Sequence, residues 1–438
     1  MHSSAMWGSI TLGATHVAKI FLRLLSTVIL TRLLYPEAFG YMAIVTSAVL
    51  IISLSTDIGI KPFLIRYPGI LGESMLDVVW TLKLLRGVTL FMVILLISGS
   101  LGDFYGDEKI ANLLRIVAVS SLLSAASPLS LYWAEKEQRF SFVAGAEFAA
   151  FLAQTVIVIL ITSIFKSYWC LALGAVVNSL VLFLIASHMS GYSYPKFSLN
   201  WSHIREIWTF IKWITFGSLL FVAVTQADRF VIGKVFGAEI LGFYAIALTI
   251  SEALTTMAQN IGNRIGFPTW ADARKSGKQR RSFADFSKVF IPIAGMVSGA
   301  LVFLADDMVA ILYDDRYTIA GVLLAILCLR TVLVALLTTT VDLLVVDGQS
   351  RAMFTANLIR LIWVAGMVAL VAGSEDVRIY ALIFSVMDVP SILFYALLAQ
   401  GYRKLFLLNI AYAVVGVTVG GLSGYFVSYL LSLLTKVL

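Results

Sequence analysis

Thirteen apolar segments of about twenty residues or more follow one another along this chain, at approximately 8–34, 39–65, 79–101, 110–133, 142–165, 168–188, 209–235, 240–267, 286–305, 319–345, 352–372, 378–399 and 406–434. A segment of that length crosses a hydrocarbon core of about 30 Å as a helix. Lipid offers backbone N–H and C=O groups no partners, so an open strand would leave them orphaned. The chain is therefore expected to be an all-α polytopic membrane protein. Composition excludes the alternative: 438 residues would ordinarily suggest two or three soluble domains, but 60% of them are hydrophobic and only 13% charged. Cys170 and Cys328 both fall inside apolar runs, and the four histidines (2, 16, 188 and 203) lack ligand spacing, so neither a disulfide framework nor a metal site is expected. The first run is too long for a signal-peptide core and has no A-x-A site, so it is expected to insert as the first span.

The net charge of +7 does not point to nucleic acid, because the basic residues are not gathered on a folded domain. They sit in short loops. With the N-terminus placed inside, the inner loops and their flanks hold seventeen Lys and Arg residues, among them Lys83, Arg86 and the run Arg274, Lys275, Lys278, Arg280 and Arg281. The outer side holds five: Lys109, Lys166, Arg316, Arg378 and Lys436. That bias predicts a cytoplasmic N-terminus.

An internal repeat joins the two halves. Arg32-Leu-Leu-Tyr-Pro-Glu-Ala-Phe-Gly-Tyr-Met-Ala-Ile44 aligns with Lys234-Val-Phe-Gly-Ala-Glu-Ile-Leu-Gly-Phe-Tyr-Ala-Ile246 at an offset of 202 (234 − 32), matching Glu37 with Glu239 and Gly40 with Gly242. A weaker echo sets 133–139 beside 345–351. The two copies are offset by six spans, so both enter the membrane in the same direction, as in transporters built from parallel repeats. The expected organisation is an N-terminal lobe over 1–190, a cytoplasmic linker over 191–208 with Trp201 and Trp208 at the membrane surface, a C-terminal lobe over 209–400, and one additional membrane segment over 401–438. Gly420, Gly421 and Gly424 allow that last segment to bend.

The spans are not uniformly apolar. A charge at mid-membrane costs about 2.5–3.5 kcal/mol on insertion scales, so it needs water, a partner or a ligand. In the first span Thr11, Thr15, Lys19, Arg23 and Ser26 recur every three or four residues and share a helix face. Arg32 is near enough to the end to snorkel, whereas Lys19 and Arg23 are too central. The second span carries Ser53, Asp57 and Lys61 at spacings of four, the last two suited to an i, i+4 ion pair. The seventh carries Thr215, Ser218, Thr225, Gln226 and Arg229 with Asp228 alongside, and the eighth carries Glu252, Thr256, Gln259, Asn260, Asn263 and Arg264. Glu147, Arg330, Asp342, Arg360 and Asp388 lie in other spans. Isolated Ser and Thr suit helix-to-helix hydrogen bonding. Lys19, Arg23 and Arg264 suit an anion, with Thr15, Ser26, Gln226, Arg229, Gln259, Asn260 and Asn263 as polar lining. Asp57, Glu252 and Asp388 are candidates for proton or sodium coupling, with ordinary ion pairing as the competing role. There is no G-x-x-x-x-G-K-[ST] loop for ATP, no long outer loop for a catalytic domain, and no other cofactor is implied.

Several stretches carry a family resemblance: Trp7-Gly-Ser through Phe21-Leu-Arg-Leu-Leu-Ser26, Leu30-Thr-Arg-Leu-Leu-Tyr-Pro-Glu-Ala-Phe-Gly-Tyr41, Asp57-Ile-Gly59, Gly242-Phe-Tyr-Ala245 and Asp347-Gly-Gln-Ser-Arg351. To about residue 400 the chain resembles the Wzx-type polysaccharide flippases of the multidrug, oligosaccharidyl-lipid and polysaccharide exporter superfamily. The resemblance implies two six-helix lobes, alternating access and a central cationic cavity. It implies as cargo an undecaprenyl-pyrophosphate-linked oligosaccharide repeat unit, moved across the bacterial inner membrane for surface polysaccharide synthesis. Membrane lipid is an implied partner, a polysaccharide polymerase and chain-length regulator are admitted as others, and nucleic acid is not. By helix and depth, Arg23 with Lys19, then Lys61 and Arg264, match the family's pyrophosphate-facing basic residues. A thirteenth span departs from the superfamily's twelve- and fourteen-span forms.

Three other readings remain open at this point. A drug or small-solute exporter of the same fold would suit an acidic cavity better than a basic one. A membrane polymerase or glycosyltransferase should show a sizeable outer loop or an acidic catalytic motif. A static scaffold gives no reason for basic side chains at membrane depth.

Overall fold

A computed structural model describes residues 2–57, 59–67, 72–189, 195–346, 351–398 and 402–437; the side chains of 2–10, 12, 62, 65–66, 202, 205–219, 221, 345–346, 351, 403 and 433–437 lie outside that description. The described chain is helical, as the apolar segments require, and divides into two compact units, Met1–Val222 and Ala223–Leu438. Expectations resting on the side chains of Trp208, Thr215 and Ser218, and on 347–350, fall outside the described residues.

The first unit contains α1 (His2–Leu33), α2 (Pro36–Ser55), α3 (Ile60–Arg66), α4 (Glu73–Tyr105), α5 (Glu108–Ala126), α6 (Ser130–Lys136), α7 (Phe140–Phe165) and α8 (Trp169–Ser187). Six of these are long and apolar enough to span. Their ends follow local rules. Tyr35 is extended and Pro36 opens α2, where a missing N–H costs nothing. Gly106 closes α4 at φ +73, and Asp107 caps α5 by accepting the Lys109 N–H. Pro128 forces Ser127 out of the helical region, to φ −62 and ψ 139, which stops α5. Helix α4 packs on α5 at Gly87, where a Cβ would meet that of Ala125 at 2.0 Å. Helix α1 packs along α7. The short α3 and α6 seal one end through Phe63, Leu64, Val78, Val79 and Leu129.

Within the segment read as the inter-lobe linker, the Lys196 N–H donates to the Asp77 carboxylate of α4 at 2.8 Å, and the Ser198 N–H to the Thr81 hydroxyl at 2.9 Å. Trp201 opens α9 (Trp201–Ile261) with its side chain exposed. The seventh and eighth sequence segments form this one helical run, broken at Gly237 (φ 82, ψ 179). The repeat offset pairs Gly237 with Tyr35, the extended residue between α1 and α2. Both copies of the repeat therefore turn the same corner at the same register. Merging across this break is why twelve spanning stretches among the described residues correspond to thirteen segments.

The second unit continues from α9 through a π-helical turn, Gly262–Gly266, to α10 (Phe267–Lys275), α11 (Gln279–Leu312), a 3₁₀ turn (Asp315–Tyr317), α12 (Thr318–Val346), α13 (Arg351–Leu370), α14 (Val377–Ser385), α15 (Val389–Leu398) and α16 (Arg403–Val437). The segment read as one span over 378–399 is thus two half-helices, α14 and α15, parted at Val386–Asp388 just before Pro390. The final segment is part of this unit and does not bend: α16 is one helix packed lengthwise on α11. Its glycines permit close approach. A Cβ on Gly416, Gly420 or Gly424 would fall 2.4, 2.1 or 2.5 Å from the carbonyl oxygens of Pro292, Met296 and Ala300. Spaced four apart, they make a flat stripe that brings two backbones together.

Candidate functional site

The first unit contains a polar cavity of about 390 Å³ between α2, α4 and α5, lined by Ser53, Asp57, Lys61, Lys83, Arg86, Ser120, Ser121, Ser124 and Tyr132 above an apolar floor of Leu90 and Ile94. A side chamber of about 170 Å³ shares Lys61, Lys83, Ser124 and Tyr132 and adds Ser127, Glu135, Glu147 and Ser179. Serine-rich walls are expected of helices that must pack closely and still present hydrogen-bonding groups.

Lys83 is the least accessible charge here, 9% exposed. Its ammonium donates to the Ser127 carbonyl at 2.6 Å and to the Ser127 hydroxyl at 2.7 Å, and lies 5.4 Å from the Tyr132 ring centre. The carbonyl is available because Pro128 has taken Ser127 out of the helix. Among the described residues no carboxylate pairs with Lys83. An ammonium has three donors, and two are used. Arg86, one turn on, donates to the Ser53 carbonyl at 2.9 Å and faces Asp57 at 3.5 Å, with its buried Nε lacking a hydrogen-bond partner. Lys61 pairs with Glu135 at 2.9 Å. Lys19 pairs with Glu147 at 2.7 Å, and Thr11 meets Ser141 at 2.9 Å, so the polar stripe of α1 faces α7. Four cations (Lys19, Lys61, Lys83, Arg86) against three carboxylates (Asp57, Glu135, Glu147) leave a formal excess of 4 − 3 = +1. Pairing assigns that excess to Lys83.

The expected i, i+4 pair of Asp57 with Lys61 does not have its helix. Helix α2 ends at Ser55, Asp57 accepts the Gly59 N–H across a turn at 3.1 Å, and the two residues turn to different partners. Arg23 is exposed on α1 and is not among the lining residues. Thr15 and Ser26 hydrogen-bond to carbonyls of their own helix, those of Thr11 and Arg23.

In the second unit Arg229 donates to Glu252 and lies 3.4 Å from Asp228, which in turn accepts the Tyr244 hydroxyl at 3.0 Å. Gln226 is half-buried one turn before Arg229. Gln259, Asn263 and Arg264 are exposed and Asn260 is half-buried, the last two of the stripe lying on the π-helical turn. That turn, with its i→i+5 bonding, shifts side chains off the α-helical register on which the stripe was read. Asp388, 1% exposed at the break between α14 and α15, is 2.6 Å from Arg360 and 3.4 Å from Arg330. The sequence candidates thus fall into separate groups: Asp57 and Lys61 in the cavity, Lys19 beside it, Arg229 with Glu252, Asp388 with two arginines, and Arg264 on the π turn.

Lys83 and Arg86 were counted only among loop charges. Helix α4 begins at Glu73, some six residues before its apolar run, which carries both a full two turns into the helix. Their spacing of three within a helix, opposite Asp57, was the available signal.

These features define a class: an all-helical membrane transporter of two repeat-related units. Residues 29–318 match the family model described as "Polysaccharide biosynthesis protein", and the chain belongs to that family. It is 21% identical over 349 residues to a membrane protein of the cps region of Klebsiella pneumoniae, covering 78% of this chain and 71% of that protein. It is 22% identical over 335 residues to the lipopolysaccharide biosynthesis protein WzxC of Escherichia coli, covering 74% of this chain and 66% of WzxC. Its fold matches the lipid II flippase MurJ in an inward closed conformation with a TM-score of 0.72, at 13% identity, over 98% of this chain and 100% of that one. The protein is a multi-pass transporter of polysaccharide biosynthesis with the fold of the exporter superfamily.

Proposed function

We propose that this protein flips an undecaprenyl-pyrophosphate-linked oligosaccharide repeat unit from the inner to the outer leaflet of the bacterial inner membrane by alternating access, with its N-terminus cytoplasmic. The observation that carries this reading is the buried, carboxylate-free Lys83 ammonium in a serine-lined cavity. A charge so placed is costly unless something anionic completes it. Lys61 and Arg86 offer further donors to pyrophosphate oxygens, Arg as a planar fork and Lys as a point charge. By the loop-charge bias this cavity lies toward the inner end of the unit, where a lipid-linked substrate would load. Arg23 and Arg264 are assigned to later contacts with the same headgroup, and Thr15, Ser26, Gln226, Gln259, Asn260 and Asn263 to the sugars. Proton or sodium coupling is assigned to Glu252, whose release from Arg229 on protonation would change the charge of the second unit. A polymerase and a chain-length regulator would receive the product.

Deleting the gene should leave lipid-linked repeat units on the inner leaflet. Restoring it as Arg23→Ala or Arg264→Ala should restore membrane insertion without export. Normal polymer export from the deletion strain would overturn the assignment.

A further inference from the structure

At the opposite end of the first unit from the Lys83 cavity, the α1–α2, α4–α5 and α7–α8 connections border a second cavity, open to the surface, of about 430 Å³. Leu34, Tyr35, Glu37, Ala38, Tyr41, Lys109, Lys166, Ser167 and Tyr168 line it. We propose that this cavity is a binding site for an acidic saccharide, one bearing a uronate or a comparable anionic substituent.

Three elements make the match. Aromatic rings stand at the rim and wall: Tyr35 is 71% exposed, and Tyr41 and Tyr168 meet edge to face at 6.1 Å. Sugar C–H faces stack on such rings, which are apolar in the plane and carry a polar tip. Glu37 adds a carboxylate to the lining, an acceptor for a sugar hydroxyl. Two cations stand here against two carboxylates, Glu37 in the lining and Asp107 beside Lys109, which leaves Lys166 as the cation turned to the cavity. Lys109 is held by its surroundings, 3.3 Å from the Tyr41 hydroxyl, 3.9 Å from Asp107 and 5.2 Å above the Tyr41 ring, while the Tyr41 hydroxyl donates to Asp107 at 2.5 Å. Lys166 differs. It ends α7 in the left-handed region (φ 47), a conformation uncommon for a residue with a side chain, and its side chain is exposed at the cavity. Lysine there accepts backbone strain that glycine would avoid, as at many sites where a side chain is needed for function.

The repeat separates this site from scaffolding. At the offset of 202, Tyr35 corresponds to Gly237 and Tyr41 to Phe243, while Glu37 keeps its counterpart Glu239. The corner also turns in the second unit, where Gly237 at φ 82 stands in place of Tyr35 at φ −81, without the exposed ring or the hydroxyl. These groups are therefore surplus to folding the corner.

The inference deepens the proposed function, since by the loop charges this end faces outward, where a flipped headgroup would emerge. It also admits a free saccharide. Purified full-length protein in nanodiscs should bind a soluble glucuronate-containing tetrasaccharide more tightly, by tenfold or more, than the same tetrasaccharide with its carboxylates reduced. Lys166→Gly, which relieves the strained backbone and so preserves folding, and Tyr35→Ala, which removes an exposed ring, should each weaken acidic-saccharide binding about tenfold, whereas Gly366→Ala, with open space around it, should not. Equal affinity for the two saccharides, or unchanged binding in both outer-end variants, overturns the proposal. So does full competition by inorganic phosphate at the concentration at which it binds alone, which would mark a general anion site. Export in cells separates the sources: reduced export by Lys166→Gly marks the lipid-linked headgroup as occupant, and unchanged export with lost binding marks a free saccharide. The flippase reading fails separately, through normal export in the deletion strain.

Discussion

Replacing Lys83 by Met removes the ammonium while keeping an unbranched side chain of similar length, and its effects on stability and on binding should point in opposite directions. On the stability side, the Ser127 carbonyl loses its donor, which costs about 1–3 kcal/mol. Against this, a buried ammonium with no carboxylate partner is no longer desolvated, which returns several kcal/mol. The melting temperature in detergent or nanodiscs should therefore hold or rise. On the binding side, one charge-assisted hydrogen bond is worth about 1.5–3 kcal/mol. That corresponds to a loss of roughly 10- to 150-fold in affinity for undecaprenyl pyrophosphate at 1.4 kcal/mol per decade. Lys83→Arg, which retains the charge, should fall between the two. Both affinities can be read by titrating the lipid into nanodiscs, and export by complementing the deletion strain. A Lys83→Met protein that melts well below the wild type yet binds the pyrophosphate lipid as tightly would refute the argument, because Lys83 would then be a structural tie between α4 and the α5 terminus.

Three other perturbations test the surrounding structure. Gly420→Ala should destabilise by about 1–3 kcal/mol through overpacking against the Met296 carbonyl; Gly366→Ala, with open space around it, is the control, and equal melting of the two would dismiss the α11–α16 seam. Asp388→Asn leaves Arg360 buried beside Arg330 without a counter-charge and should cost about 3–5 kcal/mol, seen as lost folded yield, with Arg360→Met added in the same chain recovering part of it. A well-folded Asp388→Asn protein whose transport no longer responds to collapse of the proton or sodium gradient would instead assign Asp388 to coupling. Lys19→Met should shift stability by about 1 kcal/mol or less, since its partner Glu147 is half exposed; a large drop in melting temperature would show that the pair bears more than its exposure allows.

The fold was legible because lipid leaves few options. Apolar length alone located the spans, and the Glu-x-x-Gly corner located the two-unit repeat, with Tyr35 and Gly237 marking the same turn in both copies. What misled was assuming an unbroken helix between polar residues. Asp57 and Lys61 lie across the end of α2, Asn263 and Arg264 lie on a π-helical turn, and Asp388 sits where α14 gives way to α15. Each is a place where backbone geometry departs from 3.6 residues per turn, so a face drawn on a regular helix puts the residue in the wrong direction. The polar pairings were illegible for a different reason. Lys19 with Glu147, Lys61 with Glu135 and Arg330 with Asp388 join residues 58 or more positions apart, and their choice of partner depends on which helices pack together.

The two units share a corner but not their charges, and that difference says how a repeat protein acquires a directional task. In the second unit two buried groups are paired, Arg229 with Asp228 and Glu252 and Asp388 with two arginines, while one oxygen each of Asp307 and Asp342 is buried without a hydrogen-bond partner. In the first unit one cation, Lys83, is left to backbone and hydroxyl oxygens in an open cavity, and one acceptor, the Glu37 Oε2, is left with no donor at the other end. A network closed on itself stabilises a lobe without selecting a ligand, whereas an incomplete one binds whatever completes it. The Lys83 cation and the Glu37 carboxylate sit at opposite ends of the same unit of six spanning helices and, on the proposed function, would meet different parts of one molecule, a phosphate and a sugar. On the proposed function, an amphiphile carrying its anionic linkage next to a saccharide would meet both groups in turn as it changes leaflets, so the first unit's charges would supply a direction that a parallel repeat alone does not.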